Sequence, residues 1–235
     1  KNIPSTYISK DNDWFGLSIR ARPIIYSKER VNINELKNYE QLSNKKWKGR
    51  ICMRSSSNVY NQSLIAYMIL NLGEKETEDW IKNLVNNFAR KPFGGDRDQI
   101  KAIASGQCDI TVANVYYLAN MLNSKNKKDV IAAEKVSIFW PNQETFGAHI
   151  NISGAGILKS SKNFKNALMF LEFLSSKQAQ EIYTKNIHEY SIRIDVEPSE
   201  TVFKFGKFKS DHLKLEEIGK KIKIAIYFAS KHNWR

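Results

Sequence analysis

The sequence predicts an α/β protein in which short buried strands alternate with helices. A strand, a polar turn and a helix follow one another twice, once within 49–72 and again within 109–122. In addition, 42% of the 235 residues are hydrophobic, which is enough to fill a core. Alternation of this kind indicates a mostly parallel sheet with helices on both faces.

The N-terminal third contains the first of these units. Residues up to about Trp14 are polar and are predicted to form a loop. A strand is predicted at 21–26, and a turn with a short helix at 31–42. A second strand, 49–54, stops at Ser55-Ser56-Ser57-Asn58, whose side chains favour helix N-termini. The helix behind these residues is mostly apolar.

The middle of the chain repeats the construction. Helices are predicted at 75–88 and from Asp96 to Gly106, where glycine ends the second helix. A strand at 109–113 then leads to Asn114, which begins the next helix. The predicted elements that follow are a strand at 136–140, an extended segment at 146–158, helices at 163–175 and 177–183, and an amphipathic tail at 213–228. In the helix at 163–175, Ala167, Phe170, Leu171 and Leu174 follow the i, i+3, i+4, i+7 spacing of an amphipathic helix.

Composition and motifs exclude several classes of protein. No apolar stretch reaches the length that a membrane span needs. The sequence has no phosphate-binding loop, dinucleotide fingerprint or G-x-S-x-G turn, so we expect no catalysis. The net charge of +13 leaves a basic nucleic-acid-binding module open as an alternative, but the lysines are scattered and do not form a stripe. Two cysteines, Cys52 and Cys108, leave one disulfide open.

Three tyrosines occur at or near the starts of helices that follow strands. Tyr60 comes after the serine-rich turn, and Tyr116 and Tyr117 come after Asn114. In open sheets, ligands bind beyond the carboxyl ends of strands. A helix N-terminus favours negative charge, so it favours a phenolate over a phenol. Several phenolates suit a hard, highly charged cation such as Fe(III).

The charge balance of such a site favours a nearby cation. Three phenolates neutralise a 3+ ion, and a fourth anionic donor leaves one negative charge. Arg20 and Arg22 are candidates to balance it. An alternative is that the same fold binds an oxyanion or a small organic solute at the serine-rich turn.

Several motifs together resemble the periplasmic ferric-iron-binding proteins of iron ABC transporters, in particular the cyanobacterial type. The resemblance covers nearly the whole chain from about Asp13. The motifs are Trp14-Phe15-Gly16-Leu17-Ser18-x-Arg20-Ala21-Arg22, Trp47-Lys48-Gly49-Arg50, Arg54-Ser55-Ser56-Ser57-Asn58-x-Tyr60-Asn61-Gln62-Ser63, Gly95-Asp96-x-x-Gln99 and Ala113-Asn114-x-Tyr116-Tyr117.

The resemblance implies a two-lobed periplasmic-binding-protein fold of the transferrin-like type. Residues 1–20 and 144–194 are expected to form what remains of the first lobe, and 21–143 and 195–235 the second. The implied function is to bind Fe(III) in the periplasm, as a monomer, and to deliver it to an inner-membrane permease, without a role for nucleic acid. The implied site consists of the iron ligands Tyr60, Tyr116 and Tyr117, with Arg20, Ser56 and Asn58 behind them.

Two departures from the family pattern stand out. Family members are longer at the N-terminus, so we expect the first lobe to be incomplete and a further Tyr or His ligand to precede Lys1. Asn120 occupies a position where a basic residue is expected, which alters the charge around bound iron.

Overall fold

A computed structural model describes residues 3–213 and 215–235, which contain two three-stranded sheets and nine α-helices. Lys1, Asn2 and Lys214, which fall in predicted segments, lie outside the described residues. The strands are β1 (Phe15–Ala21), β2 (Ile24–Ser27), β3 (Ile110–Val112), β4 (Val136–Phe139), β5 (Ile150–Ala155) and β6 (Tyr190–Ser191). The helices are α1 (Val59–Leu72), α2 (Glu74–Asn86), α3 (Asp96–Ala104), α4 (Val115–Leu122), α5 (Lys127–Glu134), α6 (Phe164–Leu174), α7 (Lys177–Ile187), α8 (Glu200–Phe203) and α9 (Leu215–Lys231).

The two sheets have the strand orders β5-β1-β6 and β3-β2-β4. In both, the central strand pairs antiparallel with its two neighbours. The α/β class is confirmed, but the prediction of a mostly parallel sheet is wrong for these ladders. The reason is that β1 and β2 follow one another along the chain and each enters a sheet in the direction opposite to its neighbours, which no local pattern reveals.

The parallel pairing that the two repeated units predict is present around Ile51. Ile51 forms parallel bridges to Phe88 and to Ile110, the first residue of β3. The predicted strand at 49–54 is thereby reduced to single bridges. The predicted loop before Trp14 contains a 3-10 helix at Ser5–Tyr7, and the segment 31–47 forms three further short 3-10 helices.

Among the described strands, the chain crosses from one sheet to the other twice, between β1 and β2 and between β4 and β5, and these two connecting segments are adjacent. Arg22 and Pro23 connect β1 to β2, and the Arg22 N–H donates to the His149 carbonyl just before β5, at 3.0 Å. Arg22 is only 1% exposed. The crossing is therefore a buried, hydrogen-bonded part of the molecule.

A buried polar network surrounds His149 at this crossing. Its Nδ1 lies 3.0 Å from Asp211 Oδ2, and its Nε2 hydrogen-bonds the Ser63 hydroxyl of α1. The Tyr67 ring packs against the imidazole, with ring centres 4.8 Å apart. Burial lowers the pKa of His149, and the neighbouring Asp211 opposes that shift.

The larger apolar core joins the second sheet to α1, α2 and α9. It includes Leu64 and Met68 of α1, Ile24 of β2, and Phe228 of α9. Trp234, near the C-terminus, is fully buried in the same core. This packing fixes α1, whose first turn carries Tyr60, against the strands of the second sheet.

One disulfide connects the two repeated units. Cys52 and Cys108 are bonded, with Cα atoms 5.8 Å apart and 56 positions apart in sequence. Cys52 follows the Ile51 bridge, and Cys108 precedes β3. The bond holds these two segments next to one another.

Helix α6 is less buried than its amphipathic pattern predicts. Leu171 is 8% exposed and is the one buried residue among the eleven of this helix, whereas Phe170 is 59% exposed. The apolar spacing that includes Phe170 therefore does not correspond to a buried face. Other apolar side chains of α6 are also exposed, namely Phe164, Leu168, Met169 and Phe173. The helix presents an apolar face to water.

None of the described helices combines the length and the apolar character that crossing a bilayer requires.

Candidate metal centre

Two neighbouring segments each end in a polar turn that begins a helix. Ile51 pairs in parallel with Ile110, and the Cys52 N–H donates to the Ile110 carbonyl at 2.9 Å. We call residues 55–58, which precede α1, the first elbow, and residues 113–114, which precede α4, the second elbow. Because the two segments run in the same direction, both elbows lie at the same edge, where ligands of α/β proteins bind.

The first elbow places Tyr60 in the opening turn of α1. Asn58 is the N-cap residue, and its side-chain oxygen accepts the Tyr60 N–H at 3.0 Å. Ser56 points elsewhere, because its hydroxyl donates to the Trp234 carbonyl near the C-terminus. Asn58 therefore orients the tyrosine directly, while Ser56 attaches the elbow to the segment that follows α9.

The second elbow is held by a carboxylate from a different helix. Asn114 is the N-cap of α4, but its side chain makes no capping bond. Instead, its backbone N–H donates to Asp96 Oδ2 at 3.1 Å, and Arg54 Nη1 donates to Asp96 Oδ1 at 3.4 Å. Asp96 is only 2% exposed. It therefore connects the start of α4 to the residue that precedes the first elbow.

The three tyrosines converge at the two helix N-termini. The rings of Tyr116 and Tyr117 have centres 4.1 Å apart and planes inclined by 30°. The pKa of Tyr116 is raised, first by burial and then by hydrogen bonding with the hydroxyls of Tyr117 and Tyr60. Burial and these two neighbours therefore favour the neutral phenol of Tyr116 in the absence of a cation.

Positive charge surrounds the ring of Tyr60. The guanidinium carbons of Arg20, Arg22 and Arg54 lie 5.9, 5.7 and 5.8 Å from its centre. Arg20 is the one of these that reaches the phenol oxygen, with Nη1 3.2 Å from the Tyr60 hydroxyl. Its guanidinium also lies 5.8 Å from the centre of the Tyr116 ring. Arg20 therefore donates directly to the oxygen of Tyr60, whereas Arg22 and Arg54 contact only its ring.

Arg20 and Arg22 differ in their environments. Burial lowers the pKa of Arg20, but the hydrogen bond and charge of Glu189 outweigh burial and raise it. Arg22 is fully buried, and this burial lowers its pKa, with Asp96 acting in the opposite direction. Arg22 Nη2 donates to Asn61 Oδ1 of α1 at 2.7 Å. The partly exposed Arg20 thus donates to the Tyr60 hydroxyl, whereas the buried Arg22 is hydrogen-bonded to α1 one residue after this tyrosine.

Asn120 stands one turn after Tyr116 on α4. Its side-chain N–H groups donate to the Tyr116 carbonyl at 2.8 Å and to the Ile187 carbonyl at 3.0 Å. It therefore connects the tyrosine helix to the end of α7, and it adds no charge.

Two residues around the tyrosines are missing from the sequence prediction of the site, Glu189 and Asp96. In the sequence, Asp96 is predicted to begin a helix and belongs to the Gly95-Asp96-x-x-Gln99 motif, but it is given no role in the site, and no local motif marks Glu189. Their roles depend on strand register and on the packing of distant segments. No group of three or more His, Cys, Asp or Glu side chains suited to a metal occurs within 3–213 and 215–235. The candidate donors there are therefore phenol oxygens.

Comparison with known proteins agrees with this architecture. A sequence model of the bacterial extracellular solute-binding proteins matches residues 1–201. The chain belongs to this family. It is 43% identical over 234 residues to iron uptake protein A1 of Synechocystis, and 41% identical over 222 residues to iron uptake protein A2 of the same organism. The chain spans 65% and 64% of the lengths of these two relatives, and 100% and 94% of this chain take part in the match.

Solved structures of the family superpose closely on the chain. A Trichodesmium protein in complex with iron and citrate gives a TM-score of 0.96 at 44% identity, over 100% of this chain and 74% of that one. The ferric binding protein of Campylobacter jejuni gives a TM-score of 0.95 at 42% identity, with the same coverage. The resemblance found in the sequence motifs is confirmed, and so is the periplasmic-binding-protein fold.

Proposed function

We propose that the protein is the solute-binding component of an iron ABC transporter, which binds Fe(III) in the periplasm as a monomer and delivers it to an inner-membrane permease. The observation that carries the proposal is the convergence of Tyr60, Tyr116 and Tyr117 at two adjacent helix N-termini. Binding and release are the whole of the proposed activity, and no catalytic step is part of it.

The chemistry of the cluster suits a trivalent cation that is carried as cargo. Phenolate is a hard anionic donor, and Fe(III) has enough charge to displace its proton at neutral pH. Three phenolates balance the charge of the ion. The helix N-termini and Arg20 stabilise the anionic oxygens during exchange. Binding is therefore expected to release protons, and to weaken as the pH falls.

Three independent features support the proposal. Related proteins are named for iron uptake, and one related structure contains iron. The family is described as extracellular, which agrees with a periplasmic location. A disulfide between Cys52 and Cys108 also suits an oxidising compartment.

The presence of two separate sheets supports the proposed division into two lobes. Residues 1–20 and 144–194 include nearly all of β1 and the whole of β5 and β6, whereas 21–143 and 195–235 include β2, β3 and β4. In this arrangement Arg20 belongs to the first lobe and the three tyrosines to the second. The proposed site therefore lies where the lobes meet.

Titration with Fe(III) supplied as the nitrilotriacetate complex tests the proposal. Phenolate bound to Fe(III) gives a visible charge-transfer band, and we expect this band in the wild-type protein. Tyr116→Phe and Tyr117→Phe should each diminish it. Tyr227→Phe is the matched control, because Tyr227 is an exposed tyrosine of α9 and should leave the band unchanged. A wild-type protein without a visible band would refute the iron assignment.

A second candidate, binding of an oxyanion, is favoured by two buried donors beside the tyrosines. Arg22 Nε and Asn114 Nδ2 have no hydrogen-bond acceptor among the described residues. Buried polar groups of this kind are normally satisfied by water or an ion. If the protein binds an oxyanion in place of iron, phosphate or sulfate should raise its thermal stability in metal-free buffer, and Fe(III) should have no effect.

A further inference from the structure

Glu189 is a buried carboxylate close to the tyrosine cluster that no sequence motif singles out. It lies between the end of α7 and the start of β6, and it is 2% exposed. In the β1–β6 ladder Ser18 pairs with Ser191 and Ile19 with Tyr190. One further step in this antiparallel register brings Glu189 opposite Arg20. The sheet itself therefore places the carboxylate beside the guanidinium.

Both carboxylate oxygens of Glu189 have donors. Arg20 Nε donates to Oε1 at 2.8 Å, and the Ser18 hydroxyl donates to Oε2. Both donors come from β1, where they are two positions apart and therefore lie on one face of the strand. Such a carboxylate is held rigidly, because its two hydrogen bonds come from a single strand.

Arg20 is in turn held at three points. Its Nε contacts Glu189, and its Nη2 donates to the Ser153 hydroxyl of β5 at 2.6 Å. The remaining terminal nitrogen, Nη1, is the one that faces the Tyr60 hydroxyl. The guanidinium is planar, so two fixed contacts determine the direction of the third. Glu189 and Ser153, which lie on either side of β1, thus direct Nη1 of Arg20 toward Tyr60.

We propose that Glu189 is the positioning residue that holds Arg20 against the Tyr60 phenol oxygen, and that it thereby slows the loss of bound Fe(III). The inference rests on the proposed function. Without the carboxylate, the flexible Arg20 side chain turns toward solvent and its charge leaves Tyr60. Glu189 acts on the site through Arg20, because of the two side chains that donate to its carboxylate, Arg20 is the one that contacts Tyr60.

Two variants of Glu189 distinguish the effect of losing the hydrogen-bond acceptor from the effect of changing the side-chain volume. Glu189→Met keeps roughly the same volume and removes the acceptor, whereas Glu189→Gln keeps an oxygen for Arg20 Nε. Outer residues around metal sites typically contribute about 10- to 100-fold to metal affinity. We expect Glu189→Met to release iron to EDTA about tenfold faster than wild type and to shift the charge-transfer band, and Glu189→Gln to release it less than about threefold faster.

A double-mutant cycle tests whether Glu189 acts through Arg20. In the Arg20→Met background, adding Glu189→Met should change neither the release rate nor the band. The double variant also keeps the test valid if Glu189→Met alone fails to fold, because replacing both members of a buried ion pair by apolar groups is often well tolerated. Asp195→Asn is the matched control. It removes the negative charge of the Arg193–Asp195 pair, whose carboxylate is 49% exposed, and should leave iron release unchanged.

Three results would overturn the inference. The first is that Glu189→Met releases iron at the wild-type rate, and the second is that the Met and Gln variants release it at equal rates. The third is that Glu189→Met accelerates release about tenfold further in the Arg20→Met background. None of these results concerns the charge-transfer band of the wild-type protein, so each of them leaves the proposed function intact. Absence of the band from the wild-type protein is a different result, which refutes the proposed function and the inference together.

Discussion

The carboxylate of Asp96 accepts the backbone N–H of Asn114 at 3.1 Å, and through it the start of the tyrosine-bearing helix α4 is attached to Arg54. The two elbows are thus connected by one buried side chain from α3. A small displacement of either elbow would separate Tyr60 from Tyr116 and Tyr117. Asp96 therefore belongs to the support of the site, although it is not predicted to contact the cargo.

Asp96→Asn should weaken both stability and iron binding. One amide oxygen can replace only one of the two acceptors, so we expect a loss of about 1–3 kcal/mol in the free energy of unfolding, measured by urea denaturation. Iron release should also become faster. Asp98→Asn is the control, because Asp98 bonds Gly95 at the same end of α3 and contacts neither elbow. Equal effects of the two variants on iron release would contradict the connecting role of Asp96.

The disulfide should make a large contribution to stability. Its 56-residue separation corresponds to about 4 kcal/mol of lost chain entropy in the unfolded state, and native disulfides typically contribute about 2–5 kcal/mol. We expect the double variant Cys52→Ser/Cys108→Ser to lose about 2–4 kcal/mol in urea denaturation. Dithiothreitol should destabilise the wild type and leave the double variant unaffected. An unchanged midpoint in the reduced wild type would refute this expectation.

The buried His149 should make the protein less stable in mild acid. Burial lowers its pKa below the ordinary value of about 6.5, so below that pH the unfolded chain binds a proton that the folded protein does not. Stability is therefore fully present above about pH 6.5 and falls as the pH falls toward the lowered pKa. The unfolding free energy should be measured at about pH 7.5, 6.5 and 5.5.

An uncharged replacement isolates the contribution of His149. Because glutamine does not titrate, His149→Gln should flatten the pH dependence of stability below about pH 6.5. A smaller slope should remain, because burial also lowers the pKa of His188. A profile of His149→Gln that parallels the wild type would show that this histidine is not responsible.

The exposed face of α6 should respond to mutation very differently from its buried side. Leu171→Ala should cost about 2–4 kcal/mol, because it removes a buried side chain. Phe170→Ser should change the unfolding free energy by no more than about 0.5 kcal/mol and should reduce the binding of a hydrophobic dye. A loss of several kcal/mol from Phe170→Ser would contradict the exposed position of this ring.

The sequence is most informative where function depends on local order. Tyr60, Tyr116 and Tyr117 can be found because each lies in the first turn of a helix behind a polar turn, and Asn58 can be found because capping is a local interaction. The metal-binding role of these tyrosines remains a prediction that the experiments above test.

The parts that escape prediction depend on long-range pairing. The antiparallel ladders follow from the way β1 and β2 enter separate sheets. Glu189 becomes a partner of Arg20 only through the register of β6, 169 positions away in sequence. The spacing of Phe170 and its neighbours shows which face of α6 is apolar, but it does not show whether a partner covers that face.

Arg20 and Tyr60 come from opposite sides of the buried crossing at Arg22. Arg20 stands on β1 of one sheet, whereas Tyr60 stands on α1, which packs against the other. Their 3.2 Å contact therefore connects a strand of one sheet to a helix that packs against the other. Any change in the angle between the two sheets would change this distance, so the length of this one hydrogen bond would record how the sheets are oriented.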